Sequence, residues 1–177
     1  METLPDYLQQ GLDIVLVGLN PSIPSVLTGH YFANPRNRFW AAFNAAEMTS
    51  EPLTSETDYR VLEFGIGMTD IVKRPTSGVA ELKTADFRGG AIDLRVRLTA
   101  AAPRVVCFHG VMAATHYANI NNDDRSKIAL GPQLWSIGTS KVFVVPNPSP
   151  ANASFSLKGI IEWYLKLKEF RDDLKSS

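Results

Sequence analysis

The sequence predicts a single α/β domain, a three-layer sandwich in which helices flank a central, largely parallel β-sheet. Three short apolar runs carry that expectation: Ile14 to Val17, Arg104 to Phe108 and Val142 to Val145. They lack the alternation of a half-exposed strand and read as strands buried on both faces. Between and after them lie segments of helical period, and 177 residues fit one domain spanning 1–177.

Residues 1–12 read as a polar lead-in with a short helical turn near Leu8. The first strand follows, then a stretch from Ser22 to Asn34 expected to form a long loop without a regular element. Asn37 to Glu47 reads as a helix, with Phe39, Trp40, Phe43 and Ala46 at helical spacing; Thr54 to Leu62 suggests a second, with Glu56 and Asp58 suited to its first turn. Phe64 to Val72 is mixed, and its glycines and Thr69-Asp70 suggest a bend or loop that feeds a site. Leu82 to Arg88 suggests a short helix, Gly89-Gly90 a break, and Ile92 to Ala101 another helix. The second buried strand closes with His109-Gly110, and Val111 to Tyr117 suits a helix packed behind it. Asn119 to Lys127 is polar and reads as a surface loop. Leu134 to Ile137 and Val142 to Val145 flank Gly138-Thr139-Ser140 at hairpin spacing. Leu157 to Leu174 is the longest periodic helix, with an apolar stripe of Ile160, Ile161, Tyr164, Leu165, Leu167 and Leu174.

Gly18 to Ser22 is the stretch that points to a site. Gly18 allows a sharp turn as the first strand ends, and Pro21, lacking an N–H, stops the strand. Asn20 is thereby held at the carboxyl end of a buried strand, where open α/β sheets bind ligands. The competing reading is that its amide only satisfies its own turn. Pro146-Asn147-Pro148-Ser149 punctuates the third run in the same way, and two parallel strand ends on one sheet edge can form two sides of a cleft.

Composition narrows the classes. Net charge is zero, so any contact with nucleic acid is local rather than a broad basic face. The one cysteine, Cys107, excludes an internal disulfide and any cluster needing several cysteine ligands; it sits in an apolar run as a core residue. No stretch is long and apolar enough to span a membrane, and the first residues lack a signal peptide's basic and apolar regions, so a cytoplasmic location is expected. No spacing calls for a metal or an organic cofactor, and a monomer is expected.

Four blocks in order resemble the mismatch-specific uracil/thymine DNA glycosylases of the uracil-DNA glycosylase superfamily. The family's Gly-Ile-Asn-Pro-Gly is similar to Gly18-Leu19-Asn20-Pro21-Ser22, and its Thr-Gly-x-x-Phe-Ala-x-Pro-x-Asn-Arg-Phe-Trp to Thr28–Trp40. Its Gly-x-Thr-x-x-Val-x-Arg-Pro-Thr matches Gly67–Thr76, and Asn-Pro-Ser matches Asn147–Ser149. The resemblance implies removal of mispaired uracil, extending to thymine or other modified pyrimidines, from DNA. The base would be swung out of the duplex into a pocket. By the same resemblance Phe32 stacks on it and Asn20 holds the attacking water, since an amide positions but is no general base. Gly18, Leu19, Ser22 and Ser25 line the base, Asn147, Ser149 and Ala151 meet the DNA, and no lysine stands where a Schiff-base step would need one. His30 is a weaker candidate, and Arg36 and Arg38 face either phosphate or water.

Several positions depart from the family's pattern. Ser22 replaces its last glycine, and Asp70 stands where the family has lysine, reversing the charge beside the pocket. Pro150-Ala151-Asn152-Ala153 replaces Gly-Leu-Ser-Arg, removing the apolar wedge and the arginine that enter the duplex. Weaker dependence on the opposite guanine and activity on single strands are therefore expected. Because motif one carries no carboxylate, Asp93, after Gly89-Gly90, is a candidate acid/base, with Asp70 the other; a helix-dipole role is the alternative for Asp93. Two further functions stay open: a hydrolase of free nucleosides, and a non-catalytic module binding damaged or single-stranded DNA.

Overall fold

The computed structural model describes residues 2–121 and 128–177. Five strands form one sheet: β1 (Ile14–Gly18), β2 (Ile66–Asp70), β3 (Val105–His109), β4 (Gly131–Ile137) and β5 (Ser140–Val145). Their spatial order is β2-β1-β3-β5-β4. β1 pairs in parallel with β2 and β3, and β3 with β5; β4, at one edge, pairs antiparallel with β5. The expected hairpin is present, turning at Gly138 with φ 56°.

Each central strand sends alternate residues to opposite faces, and both faces are apolar, which is why the runs show no alternation. Ile14, Leu16, Met68, Cys107 and Phe143 pack against α2 (Phe39–Ala45) and α5 (Leu157–Ser176). Val15, Val17, Val106, Phe108 and Val144 pack against α3 (Thr84–Ala101) and α4 (Val111–Asn121). The result is the expected three-layer sandwich.

Several local readings are corrected. The stretch 22–34 holds a short helix, α1 (Ile23–Thr28). Ser22 caps it by accepting from Ser25 N at 3.3 Å, Pro24 occupies its first turn, and Gly29 closes it at φ 76°. Second, Ile66–Asp70 is a fully buried strand rather than a loop. Its small and polar residues mask the pattern, and Gly67 is there for space: a Cβ would lie 2.4 Å from the Tyr7 carbonyl. Tyr7 itself bridges Met68 as an antiparallel residue pair, where a helical turn was expected. Third, the segment read as two helices around Gly89-Gly90 is one continuous α3. A Cβ at Gly90 would meet the Ile71 carbonyl oxygen at 2.2 Å, so this glycine permits close helix–sheet approach and does not break the helix. Fourth, the segment read as a helix over 54–62 is a 3-10 helix, Ser55–Phe64. Of the stretch read as a surface loop, 119–121 belong to α4, and 122–127 lie outside the described residues.

Candidate active site

The carboxyl ends of β1, β2, β3 and β5 open onto one cavity of about 290 Å³. Parallel strands end on the same edge, so the fold gathers there residues remote in sequence. Gly18, Leu19, Asn20, Ser22, Ser25 and Phe32 line it, with Asp70, Asn147, Ser149 and Ala151. Most of the residues singled out from sequence thus meet in one place. Asp93 does not: its side chain on α3 is 66% exposed and pairs with Arg97 at 2.9 Å, four residues on. A glycine pair inside a continuous helix does not bring a helix start to the cleft, and the i, i+4 partner accounts for this carboxylate.

Asn20 is oriented by its donors. Its Nδ2 donates to the Arg74 carbonyl at 3.0 Å and to Thr76 Oγ1 at 2.8 Å. Its amide is therefore tied to the 74–76 segment, which itself runs beside motif one through the Ser22–Thr76 bridge. Oδ1 is left as an acceptor at the cavity wall. The turn-satisfying alternative does not hold, because the partners lie more than 50 residues away.

Phe32 occupies the left-handed region at φ 54°, a conformation that costs a non-glycine residue about 1 kcal/mol. Its neighbours hold it there. Tyr31 N donates to buried Asp58 Oδ2 at 2.7 Å, Trp40 Nε1 donates to Tyr31 O at 3.1 Å, and Ala33 N donates to Ser25 Oγ at 3.3 Å. One face of Phe32 is stacked on Phe39 at 4.0 Å, and its half-exposed ring lines the cavity. Asp58, in the first turn of its helix as the sequence suggested, is wholly buried and also binds Tyr7 Oη and His30 Nδ1, both at 3.1 Å. His30 is thus a partner of Asp58, outside the cavity lining.

Asp70 ends β2 directly opposite Gly18 of β1. A Cβ on Gly18 would lie 2.5 Å from Asp70 Oδ1, so the carboxyl lies across the bare backbone of β1. Gly18 has no positive φ; its value is space rather than the turn expected of it. Asp70 is 5% exposed, and Oδ2 has no hydrogen-bond partner among the described residues. Burial raises its pKa from 3.8 to about 7, with Asp6 adding to the rise and Lys73 and Arg97 opposing it.

The β5 side is a self-braced turn. Ser149 N donates to Asn147 Oδ1 at 3.0 Å, Ala151 N to Ser149 Oγ at 3.2 Å, and Asn152 Nδ2 to Asn147 O at 2.9 Å. These bonds use acceptors, leaving the Asn147 amide and the Ser149 hydroxyl as donors at the rim. Arg38 is turned into the protein. Its guanidinium donates to the carbonyls of Ser149 at 3.0 Å, Asn152 at 2.7 Å and Phe155, tying α2's start to this turn.

Two contributors were missed from sequence. Thr76 anchors Asn20, and nothing in its residue type announces that. His109 lines the cavity at the end of β3, and it was legible: a polar residue closing a buried strand before Gly110 is the same signal that drew attention to Asn20.

The fold has a counterpart among solved structures. The solution NMR structure of a "putative Uracil DNA glycosylase" from Methanosarcina acetivorans is similar with a TM-score of 0.62 and 22% identity, covering 98% of each chain. The family model described as Uracil DNA glycosylase superfamily matches residues 5–174. Because that match takes in all four strand ends around the cavity as well as the elements that brace them, the chain belongs to the uracil DNA glycosylase superfamily.

Proposed function

We propose that the protein is a DNA glycosylase that hydrolyses the N-glycosidic bond of flipped-out uracil, using water as the nucleophile and leaving an abasic site. The observation that carries this reading is Asn20, whose Nδ2 is held by Arg74 O and Thr76 Oγ1 at the mouth of a cavity also lined by the ring of Phe32. The flipped base stacks on the open face of Phe32. Asn20 Oδ1 accepts from the water and aims it at C1′, and the gain comes from holding reactants in place. As the bond breaks, negative charge moves onto the base and its carbonyl oxygens. Asp70, raised to about 7, is largely a neutral acid below that pH and donates from its free oxygen to one of those carbonyls. Among the described residues no lysine lines the cavity, and the reading is of chemistry that ends at the abasic site.

Asn147 and Ser149 donate to the DNA backbone at the rim. Pro150 and Ala151 present neither a long apolar wedge nor a cation there, so excision depends weakly on the base opposite. Oligonucleotides carrying U·G, U·A, T·G or single-stranded uracil, scored for abasic sites, test this. Uracil release from U·G, U·A and single strands at comparable rates is expected. A strict U·G preference refutes the opposite-base reading. Cleavage of free uridine alone marks a nucleoside hydrolase, and binding without release marks a DNA-binding module.

A further inference from the structure

We propose that Leu4 sets the depth of the base cavity: its side chain closes the inner end at the reach of a single-ring base and so excludes purines. This deepens the glycosylase reading and rests on it for the presence of a flipped-out base.

The cavity has a mouth and a closed end. Exposed Ser77, Val79, Pro150 and Ala151 stand at the mouth. Beyond motif one, the buried lining residues are Leu4, Ser25, Tyr31, Asp70, Thr76 and His109. Five of these carry a polar group, and Leu4 alone is aliphatic. It is 2% exposed and belongs to the apolar layer that also holds Tyr31, Phe39 and Met68. Such a residue makes no hydrogen bond to a ligand. It acts through the space it fills, so its effect does not require solvent to reach it.

The segment that carries Leu4 is tied down on both sides of it. Before it, Thr3 Oγ1 donates to the Lys73 carbonyl just past β2. After it, the Pro5 carbonyl accepts from Tyr31 Oη at 2.8 Å. Asp6 Oδ1 accepts from Thr69 Oγ1 at 2.6 Å and Lys73 Nζ at 2.8 Å, and Oδ2 accepts from Arg97 Nη1 at 2.6 Å. Tyr7 then exchanges two backbone hydrogen bonds with Met68, at 2.9 and 3.1 Å, along the free edge of β2. Its ring lies 5.3 Å from that of Tyr31. Residues 3–7 are therefore a strap across the end of β2, fastened at every residue except Leu4, and Leu4 is the one that lines the cavity. A base that needs more room cannot push Leu4 back without breaking these bonds.

That rigidity turns size into selectivity. A base stacked on the open face of Phe32 extends in its own plane, and a purine adds a fused ring to that plane. Packed interiors yield little, so an oversize base meets a clash rather than an adjustable wall. Uracil and other single-ring bases fit in front of Leu4, and a purine requires its side chain to be shortened.

Single-turnover excision from single-stranded oligonucleotides carrying either uracil or hypoxanthine reads this directly. The wild type is expected to release uracil roughly 100-fold faster than hypoxanthine. Leu4→Ala is expected to raise the hypoxanthine-to-uracil rate ratio roughly tenfold or more, the scale for methylenes removed from an apolar pocket. Leu4→Val, a smaller truncation, should give an intermediate ratio, and it carries the test if the alanine variant does not fold. A general loss of stability would lower both rates and leave their ratio alone. Wild-type hypoxanthine release within about threefold of uracil release, or a folded truncation with the wild-type ratio, overturns the proposal. A wild type that releases no base from any oligonucleotide overturns the glycosylase reading instead. The leucine 13C-methyl spectrum then decides the role of Leu4 without excision. Its methyl resonances, assigned by their loss in Leu4→Val, are expected to move with free uracil and stay in place with free hypoxanthine; movement with both, or with neither, overturns the proposal.

Discussion

Asp70→Asn separates what this carboxyl does for function from what it does to the fold. Burial raises its pKa from 3.8 in the unfolded chain to about 7 in the native protein. Between those values the native state binds the proton and the unfolded state has released it, so stability falls as pH rises across that window. Below about pH 4 both states are protonated, and above about 7 both are ionised and the loss is complete. The difference amounts to about 4 kcal/mol at most. Asparagine has nearly the same shape and no charge to bury. Urea unfolding at pH 5 and pH 8 should therefore show the variant gaining on wild type with pH, and most of the gain should be in place by pH 8. Activity should move the other way. Wild-type single-turnover excision should be flat below about pH 6 and decline as pH rises through about 7, as the donor is lost. The variant, whose amide keeps an N–H, should be slower at pH 6 and show no such decline. Equal stability increments at pH 5 and pH 8 would refute the buried-acid argument. Wild-type excision that rises through pH 7 would refute the donor role while leaving the stability argument intact.

Gly90→Ala should destabilise by about 3 kcal/mol in urea unfolding, because its Cβ would sit 2.2 Å from the Ile71 carbonyl at the end of β2. Gly89→Ala, with nothing within 4 Å, should stabilise by about 0.5–1 kcal/mol; matching outcomes for the two neighbours would contradict the packing assigned to α3. Arg38→Met removes the donors to Ser149, Asn152 and Phe155, so a loss of roughly 2–4 kcal/mol in thermal or urea unfolding and weaker oligonucleotide binding are expected. Unchanged stability with reduced salt dependence of binding would mean that Arg38 meets phosphate after all. Asp58→Ala leaves buried Tyr31 N unpaired and frees the segment that sets Phe32; a fall of about 3 kcal/mol and a raised KM for uracil DNA should follow, and an unaltered KM would show that Phe32 is placed without it.

The sheet was readable because strands buried on both faces are apolar where they are buried, as in Ile14–Val17 of β1, Val105–Phe108 of β3 and Val142–Val145 of β5. β2 was not, although it is equally buried, because it ends in the residues of the site and its glycine answers to the Tyr7 backbone across from it. The same physics explains α3. A glycine inside a helix carries a propensity penalty that reads as a break, and only contact with Ile71 shows that close approach outweighs it.

At the site, the residue types and their punctuation pointed to Asn20 and the Asn147–Ser149 turn, since a polar group stopped by glycine or proline at a buried strand's end has few other reasons to be there; Phe32 entered only through the family resemblance. They could not set the orientation of any of them. Asn20's amide is turned by partners over 50 residues away, and Arg38 looks inward only because three carbonyls converge on it. Asp70 and Asp93 are the same residue type; one is buried across a bare glycine and the other is paired in solvent, a difference of environment that strand register and helix packing create. Local sequence thus determined which groups the chain brings to the sheet's carboxyl edge, and tertiary structure decided which way each one points and whether it keeps its proton, because both depend on neighbours distant in the chain.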